Sequence, residues 1–191
     1  MLNEYIRFSP QYDFIIKLMI SLIFTCALGP FAVHLSGFLP ITLQTLFILL
    51  FAIAFGWQIG GLNALMYILL GMAGLPVFAG HVGGYDQISA PSIGFYFGFL
   101  AGALVTGFIA ELNTKRNPFL HIMTWFIGHL VILALGGFWL QKFRPENWWD
   151  DLVVVMPGAA VKSAFGFLIL QLLLRFFLGR KEFYNLEKKQ P

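Results

Sequence analysis

Four polar side chains interrupt the apolar runs of this chain, and one of them is charged: Lys162, ten residues into the run 152–174, just after Met156-Pro157-Gly158. A charge at membrane depth is expensive and by default faces a bundle interior or a cavity, where it marks a functional site. Gln44 falls within Pro40-Ile41-Thr42-Leu43-Gln44-Thr45, early in the second run, 41–56. Its amide both donates and accepts, which suits an amide, urea or carboxyl group on a ligand. Asn63 and Tyr67 are four residues apart and share one helical face. Taken singly, each is more often polar glue between helices. Together the four point to a binding site for a small polar molecule.

Lys162 needs a partner, and none of the apolar interiors carries an Asp or Glu. Asp150 and Asp151 open the same helix, but at 1.5 Å per residue they stand about 16 Å away along it. The candidates are backbone carbonyls, a loop carboxylate such as Asp86 folded inward, or a ligand. Pro157-Gly158 frees backbone groups, which is tolerated where a helix break lines a cavity. A lysine snorkelling outward is the weaker alternative, given its depth.

The elements that must hold these residues are membrane spans. The chain is 59% hydrophobic and 11% charged, far below the roughly 25% charged of soluble domains. Turn residues and charges divide its 191 residues into one membrane domain, 1–191, with six spans at 14–35, 41–56, 60–75, 92–111, 119–141 and 152–174. The fold class expected is an all-α integral membrane protein, a six-helix bundle with a long extracellular loop between helices three and four. A four-span reading, with 41–75 as one re-entrant element, stays open. The first run is too long for a signal-peptide core and is expected to remain in the mature protein. Cys26 is alone and reads as a small core residue.

Lys and Arg set the orientation. Arg7, Lys17, Lys115, Arg116, Arg175, Arg180, Lys181, Lys188 and Lys189 fall on one side of a six-span topology, and Lys142 and Arg144 on the other. The positive-inside rule then places both termini in the cytoplasm of a multi-pass protein of the cell membrane. The net charge of +3 speaks for the lipid surface and not for nucleic acid. The outside face gains Ser36-Gly37-Phe38-Leu39-Pro40, the stretch Pro76 to Pro91, and Gln141 to Asp151. The middle one runs through Ala79-Gly80-His81-Val82-Gly83-Gly84-Tyr85-Asp86-Gln87, longer and more glycine-rich than a turn requires. Such loops are often covers over a ligand, and plain exposure is the equal alternative. Phe78, Trp148 and Trp149 are candidate walls or rim.

Pro40-Ile-Thr-Leu-Gln-Thr-Leu46, Tyr67-Ile-Leu-Leu-Gly71 running into Gly74-Leu-Pro-Val-Phe-Ala-Gly80, Ala90-Pro-Ser-Ile-Gly94 running into Gly98-Phe99, and Met156-Pro-Gly-Ala-Ala-Val-Lys162 together resemble the signature blocks of the BioY family. These are substrate-binding S components of energy-coupling factor (ECF) transporters for biotin. The resemblance extends in order from span two to span six. It implies capture of biotin from outside, and partnership with a transmembrane coupling subunit and two ATPases. It would give binding roles to Gln44, Tyr67, Lys162 and the Val77-Phe78-Ala79-Gly80 segment, with Asn63, Tyr85 and Asp86 added by their position. The family's last block usually reads L-P-G-D-x-x-K, where this chain has Ala159, and its fourth span usually opens G-P-T-G-G-Y, where this chain reads Ala90-Pro91-Ser92-Ile93-Gly94-Phe95. An S component for another small vitamin-like molecule is the alternative those departures raise. S components commonly carry A-x-x-x-A in span one for docking, and here Ser21, Thr25 and Gly29 stand at that spacing. Small residues four apart allow close helix approach. Packing within the bundle explains the spacing equally well.

Other classes fit the residues less well. There is no G-x-x-x-x-G-K-S/T loop, so ATP dependence must come from partners. No carboxylate relay marks a proton-coupled transporter. His34, His81, His121 and His129 lack zincin spacing, and His129 reads as a hydrogen-bonded core residue. An enzyme is not expected, nor any metal or cofactor. A small membrane enzyme and a structural subunit are the remaining alternatives.

Overall fold

The computed structural model describes residues 2, 6–33, 38–87, 91–113 and 117–187, those of 178–187 as backbone only. His34, Ser36-Gly37, Ala90, Lys115, Arg116, Lys188 and Lys189, all used above, lie outside the described residues, as do the side chains of Arg180 and Lys181. The helices in chain order are α1 (Asp13–Leu28), α2 (Gln44–Phe55), α3 (Trp57–Met72), α4 (Ile93–Leu112), α5 (Pro118–Phe143) and α6 (Trp148–Glu187). Three of them, α4, α5 and α6 through Phe177, are long and apolar enough to cross a membrane, while α2 and α3 are shorter apolar helices.

Two expected runs are shorter as helices. α1 stops at Leu28 before Gly29-Pro30, and the chain turns into strand β1 (Ala32–Val33), antiparallel to β2 (Ile41–Thr42) with Ala32 opposite Thr42 and Val33 opposite Ile41. The bundle is therefore not purely α. These strands replace the end of the first expected span and the start of the second. The expected tight reversal between the next two helices consists of Gly56 alone, at φ 98°, a left-handed conformation that suits glycine. The Gln44 side chain at the start of α2 bonds Tyr67 near the end of α3, so the two helices run antiparallel.

α4 is the centre of the packing, lying on α5, α3 and α2. Its face toward α5 is cut by Gly94, Gly98 and Gly102, where an added Cβ would collide with Trp139 and with the backbone of Ile132 at the first two and press tightly on Ile132 and Gly128 at the third. Small residues four apart bring helices into close contact where no hydrophobic force separates helix from lipid. α6 runs unbroken through Pro157, so the expected break is absent. Gly158 instead lets α6 approach the Ile41 side chain of β2. The expected connection 141–151 contracts to 144–147, because α5 extends to Phe143 and α6 begins at Trp148.

Lys17, counted above among the cations of one side, is fully buried one turn into α1. Asp13, four residues earlier, receives its ammonium at 2.6 Å, and the Phe55 ring lies 5.9 Å away. At the other end of the bundle, Asp151 accepts from the Phe38 amide at 3.1 Å and from Arg144 Nε at 2.5 Å, while the Arg144 guanidinium lies 4.8 Å over the Phe38 ring. This clasp holds residues 38–40 against the helix ends, where Leu39 packs with Leu140 and Leu152.

Replacing Gly98 by Val should force α4 from α5 and destabilise the bundle by roughly 1–3 kcal/mol, read as a lower thermal unfolding temperature in detergent. Asp151→Ala should destabilise by roughly 2–3 kcal/mol, because it leaves a charged donor and an amide without their shared acceptor. Arg144→Gln should cost less, since the Arg144 side chain is 34% exposed and the Asp151 side chain 5%.

Candidate functional site

A cavity of about 290 Å³ opens among the clasped segment, β2, the loop after α3, the start of α4, the middle of α5 and the first turns of α6. That size is near the lower end for small-molecule sites. One wall is aromatic. Phe78 is 1% exposed and stacks on Tyr96 with centroids 4.6 Å apart, Tyr67 meets its edge at 5.7 Å, and Tyr96 in turn meets Phe99 at 5.7 Å. Gly71 makes room for the Phe78 ring, since an added Cβ there would overlap it. Such rings present flat apolar area to a ligand with few rotamers to freeze.

The polar lining is built where β2 passes into α2, against α5 and α6. Lys162 donates to the Thr42 carbonyl at 3.0 Å and to Thr45 Oγ1 at 2.6 Å. An ammonium has three donors. No third acceptor and no carboxylate pairs with Lys162 among the described residues, and its side chain lines the cavity. Of its expected partners, backbone carbonyls are the class the structure supplies. Ala159, one turn earlier, lines the same wall.

Gln44 begins a second chain of bonds. Thr42 Oγ1 donates to Gln44 Oε1 at 3.0 Å, Gln44 Nε2 donates to the Tyr67 hydroxyl at 2.6 Å, and that hydroxyl donates to the Val77 carbonyl at 2.6 Å. The start of α2 is thereby tied to α3 and to the loop that carries Phe78. Further bonds fix that loop: Gly80 N–H to Pro30 O at 2.9 Å, and Gly84 N–H to Gly71 O at 2.7 Å. Its glycines serve turns, with φ of 76° at Gly80 and 110° at Gly84, and His81 joins them at 60°.

Gln44, Phe78 and Lys162 of the expected set line one cavity. Tyr67 is buried one hydrogen bond behind Gln44. Asn63 turns to α1, donating to Thr25 Oγ1 at 3.1 Å, and does not line the cavity. Gly80 is a loop anchor beside the lining residue Ala79. Tyr85, 70% exposed, and Asp86, also exposed, stand outside on a 3-10 turn (Tyr85–Gln87), whereas the next residue, Gln87, reaches the lining. Trp148 packs with the Leu39 cluster and Trp149 is exposed, so neither forms a wall. Ser21, Thr25 and Gly29 are all buried on the inward side of α1. Ser21 and Thr25 bond back along their own helix, and Gly29 abuts the Gln44 side chain. Internal packing is the alternative this placement matches.

Sequence reasoning missed Tyr96 and Phe99, and it left His129 in the core when His129 also lines the cavity. The signal was present in Ser92, Tyr96 and Phe99, spaced at i, i+4 and i+7 on one helical face.

The pattern of the BioY family matches residues 8–178. The biotin transporter BioY of Thermotoga maritima is 41% identical over 135 residues, 64% of this chain and 78% of that protein. The biotin transporter BioY of Rhodobacter capsulatus is 35% identical over 142 residues, covering 70% of this chain and 73% of its own. The fold is similar to that of the crystallised S-component for biotin from an ECF-type ABC transporter, with a TM-score of 0.77 and 24% identity over 86% of this chain and 92% of that one. Matched along nearly its whole length, the chain belongs to the BioY family.

Proposed function

We propose that the protein is the biotin-binding S component of an ECF-type transporter. It takes biotin from outside the cell membrane and delivers it inward with a transmembrane coupling subunit and two ATPases. In this reading all six helices lie in the bilayer, with α2 and α3 as a short hairpin and both termini in the cytoplasm, as the positive-inside rule requires. The observation that carries it is the single cavity wall-to-wall from the Phe78–Tyr96 stack to Gln44 and Lys162. Biotin fits that division of labour: a thiophane ring for aromatic walls, a ureido group that donates and accepts, and a carboxylate for a cation or loop donors. The clasped segment 38–40 and the loop residues 78–87 act as the outer cover. Named relatives in the same family are biotin transporters, which supports transport over enzymatic chemistry.

Ala159 favours one second reading. The family's usual aspartate is absent from the cavity wall, so a different vitamin-like anion is the competing ligand.

Equilibrium binding to the purified protein in detergent, by calorimetry or tryptophan fluorescence, tests both. Saturable biotin binding is expected, and Lys162→Met should weaken it about 10- to 100-fold, the equivalent of roughly 1.5–3 kcal/mol for a hydrogen bond to a charged group. Gln44→Ala should weaken it about tenfold, because it removes a ligand contact and the donor to the Tyr67 hydroxyl, which keeps only its bond to the Val77 carbonyl. Biotin silence with thermal stabilisation by another vitamin would support the second reading. Silence across a vitamin panel would overturn both.

A further inference from the structure

His129 is 4% exposed, lines the cavity, and is bonded at both ring nitrogens. Nδ1 lies 3.1 Å from the Trp125 carbonyl and 2.9 Å from Ser163 Oγ, and Nε2 lies 3.2 Å from Thr45 Oγ1. A carbonyl oxygen can only accept, so the Trp125 contact requires a proton on Nδ1. Ser163 agrees, since its hydroxyl donates to the Ala159 carbonyl at 3.0 Å and so meets Nδ1 with a lone pair. With Nδ1 protonated, a neutral ring presents Nε2 as an acceptor. The Thr45 hydroxyl then donates to Nε2, which leaves its oxygen lone pairs for Lys162. Every bond in the chain runs one way, from Lys162 to Thr45 to His129 to the Trp125 carbonyl and Ser163.

The opposite tautomer breaks this order. An Nε2–H would compete with the Lys162 ammonium for the Thr45 oxygen, and a bare Nδ1 would face the Trp125 carbonyl, lone pair to lone pair. An imidazolium would add a second positive charge one hydroxyl away from Lys162, with no carboxylate paired to either among the described residues.

We propose that His129 is a positioning residue for the cation of the ligand site. Its Nδ1–H tautomer, fixed by Trp125 and Ser163, orients the Thr45 hydroxyl so that Lys162 is held by Thr42 and Thr45 and keeps its third N–H for the cavity. Ser163 belongs to the same device, because it secures the imidazole from the helix that carries Lys162. In this chain the device occupies the role left by Ala159: the Thr42 carbonyl of β2 and the Thr45 hydroxyl of α2, the latter aligned by a histidine on α5, hold an ammonium that has no carboxylate one turn before it. The proposal rests on the reading that this cavity holds the ligand, here taken as biotin.

Two measurements on the full-length protein in detergent test it. Imidazole 15N spectra need no ligand, and the His129 resonances are those lost in H129Q. The expected pattern is a protonated Nδ1 and a bare Nε2, and the reverse pattern or an imidazolium at neutral pH would overturn the proposal. The second is a double-mutant cycle on biotin binding. H129L should weaken binding about tenfold, and H129Q, whose amide can accept from Thr45 and donate to Ser163, should restore most of that loss. In a K162M background H129L should cost little more, because the group it positions is gone. Full additivity of H129L and K162M, or no rescue by Gln in a protein of unchanged thermal stability, would show His129 to be packing only. If the unmutated protein fails to bind biotin, the functional reading falls, and the 15N pattern alone decides the tautomer.

Discussion

An ammonium surrounded by apolar walls must satisfy its donors with fixed acceptors, and Lys162 does so with atoms that belong to another part of the chain. Its acceptors are the Thr42 carbonyl and the Thr45 hydroxyl, at the point where β2 passes into α2. That demand organises the region. β2 is paired to β1. The turn just before β1 receives the Gly80 amide of the loop, and Gln44 reaches Tyr67, which bonds Val77 beside Phe78. The aromatic wall and the polar side of the cavity are therefore parts of one network. A shift of α2 would be felt at Phe78 as well as at Lys162.

The protein contains a second buried lysine that solves the same problem differently. Lys17 near the start of α1 has Asp13 four residues before it, and it lies by the Phe55 ring at the far end of α2 from Thr42 and Thr45. An i, i+4 carboxylate makes that end of α1 self-contained, with its charge balanced inside the protein. Lys162 has an alanine one turn before it, and its balance is deferred to neutral dipoles. Charge at one end serves structure and at the other leaves a donor directed at a cavity.

The helices were legible because long apolar runs of this composition favour helix, and the chain's turn residues mark nearly every boundary. Gly29-Pro30 ended α1 earlier than the apolar run did, since hydropathy does not register that a proline has stopped the helix. The strand pair could not be read, because two residues a side have no periodicity to detect. At the site, Lys162 and Gln44 stood out as polar residues in apolar surroundings, and the structure brings both to the cavity. Asn63 gave the same signal and is instead glue to Thr25, a distinction that only the third dimension makes. Tyr96 and Phe99 share a helical face with Ser92, but that pattern is weak for the opposite reason. In a helix that is apolar all round, an aromatic facing a cavity looks like one facing lipid.

Ala159 bears on what the cavity can select. In the family's usual pattern an aspartate and a lysine one turn apart would make the wall nearly neutral, and removing one member of a buried pair normally leaves a costly unpaired charge. Here the lysine keeps hydrogen bonds but no counter-charge among the described residues, so the wall carries a net positive charge. In a low-dielectric site that difference acts on the ligand directly. An anionic group gains an interaction that a carboxylate-paired lysine could offer only by breaking its own pair, while a neutral analogue of the same shape gains nothing beyond a hydrogen bond. The aspartate would also have offered an acceptor for a ureido N–H, and alanine offers none. In the proposed site, acceptors for a ring N–H would come from the other polar lining residues, among them Gln44, Thr42, Ser92 and Gln87. On the proposed reading of this cavity as the ligand site, alanine in place of that aspartate would move discrimination away from the ligand's hydrogen-bond donors and toward its charge.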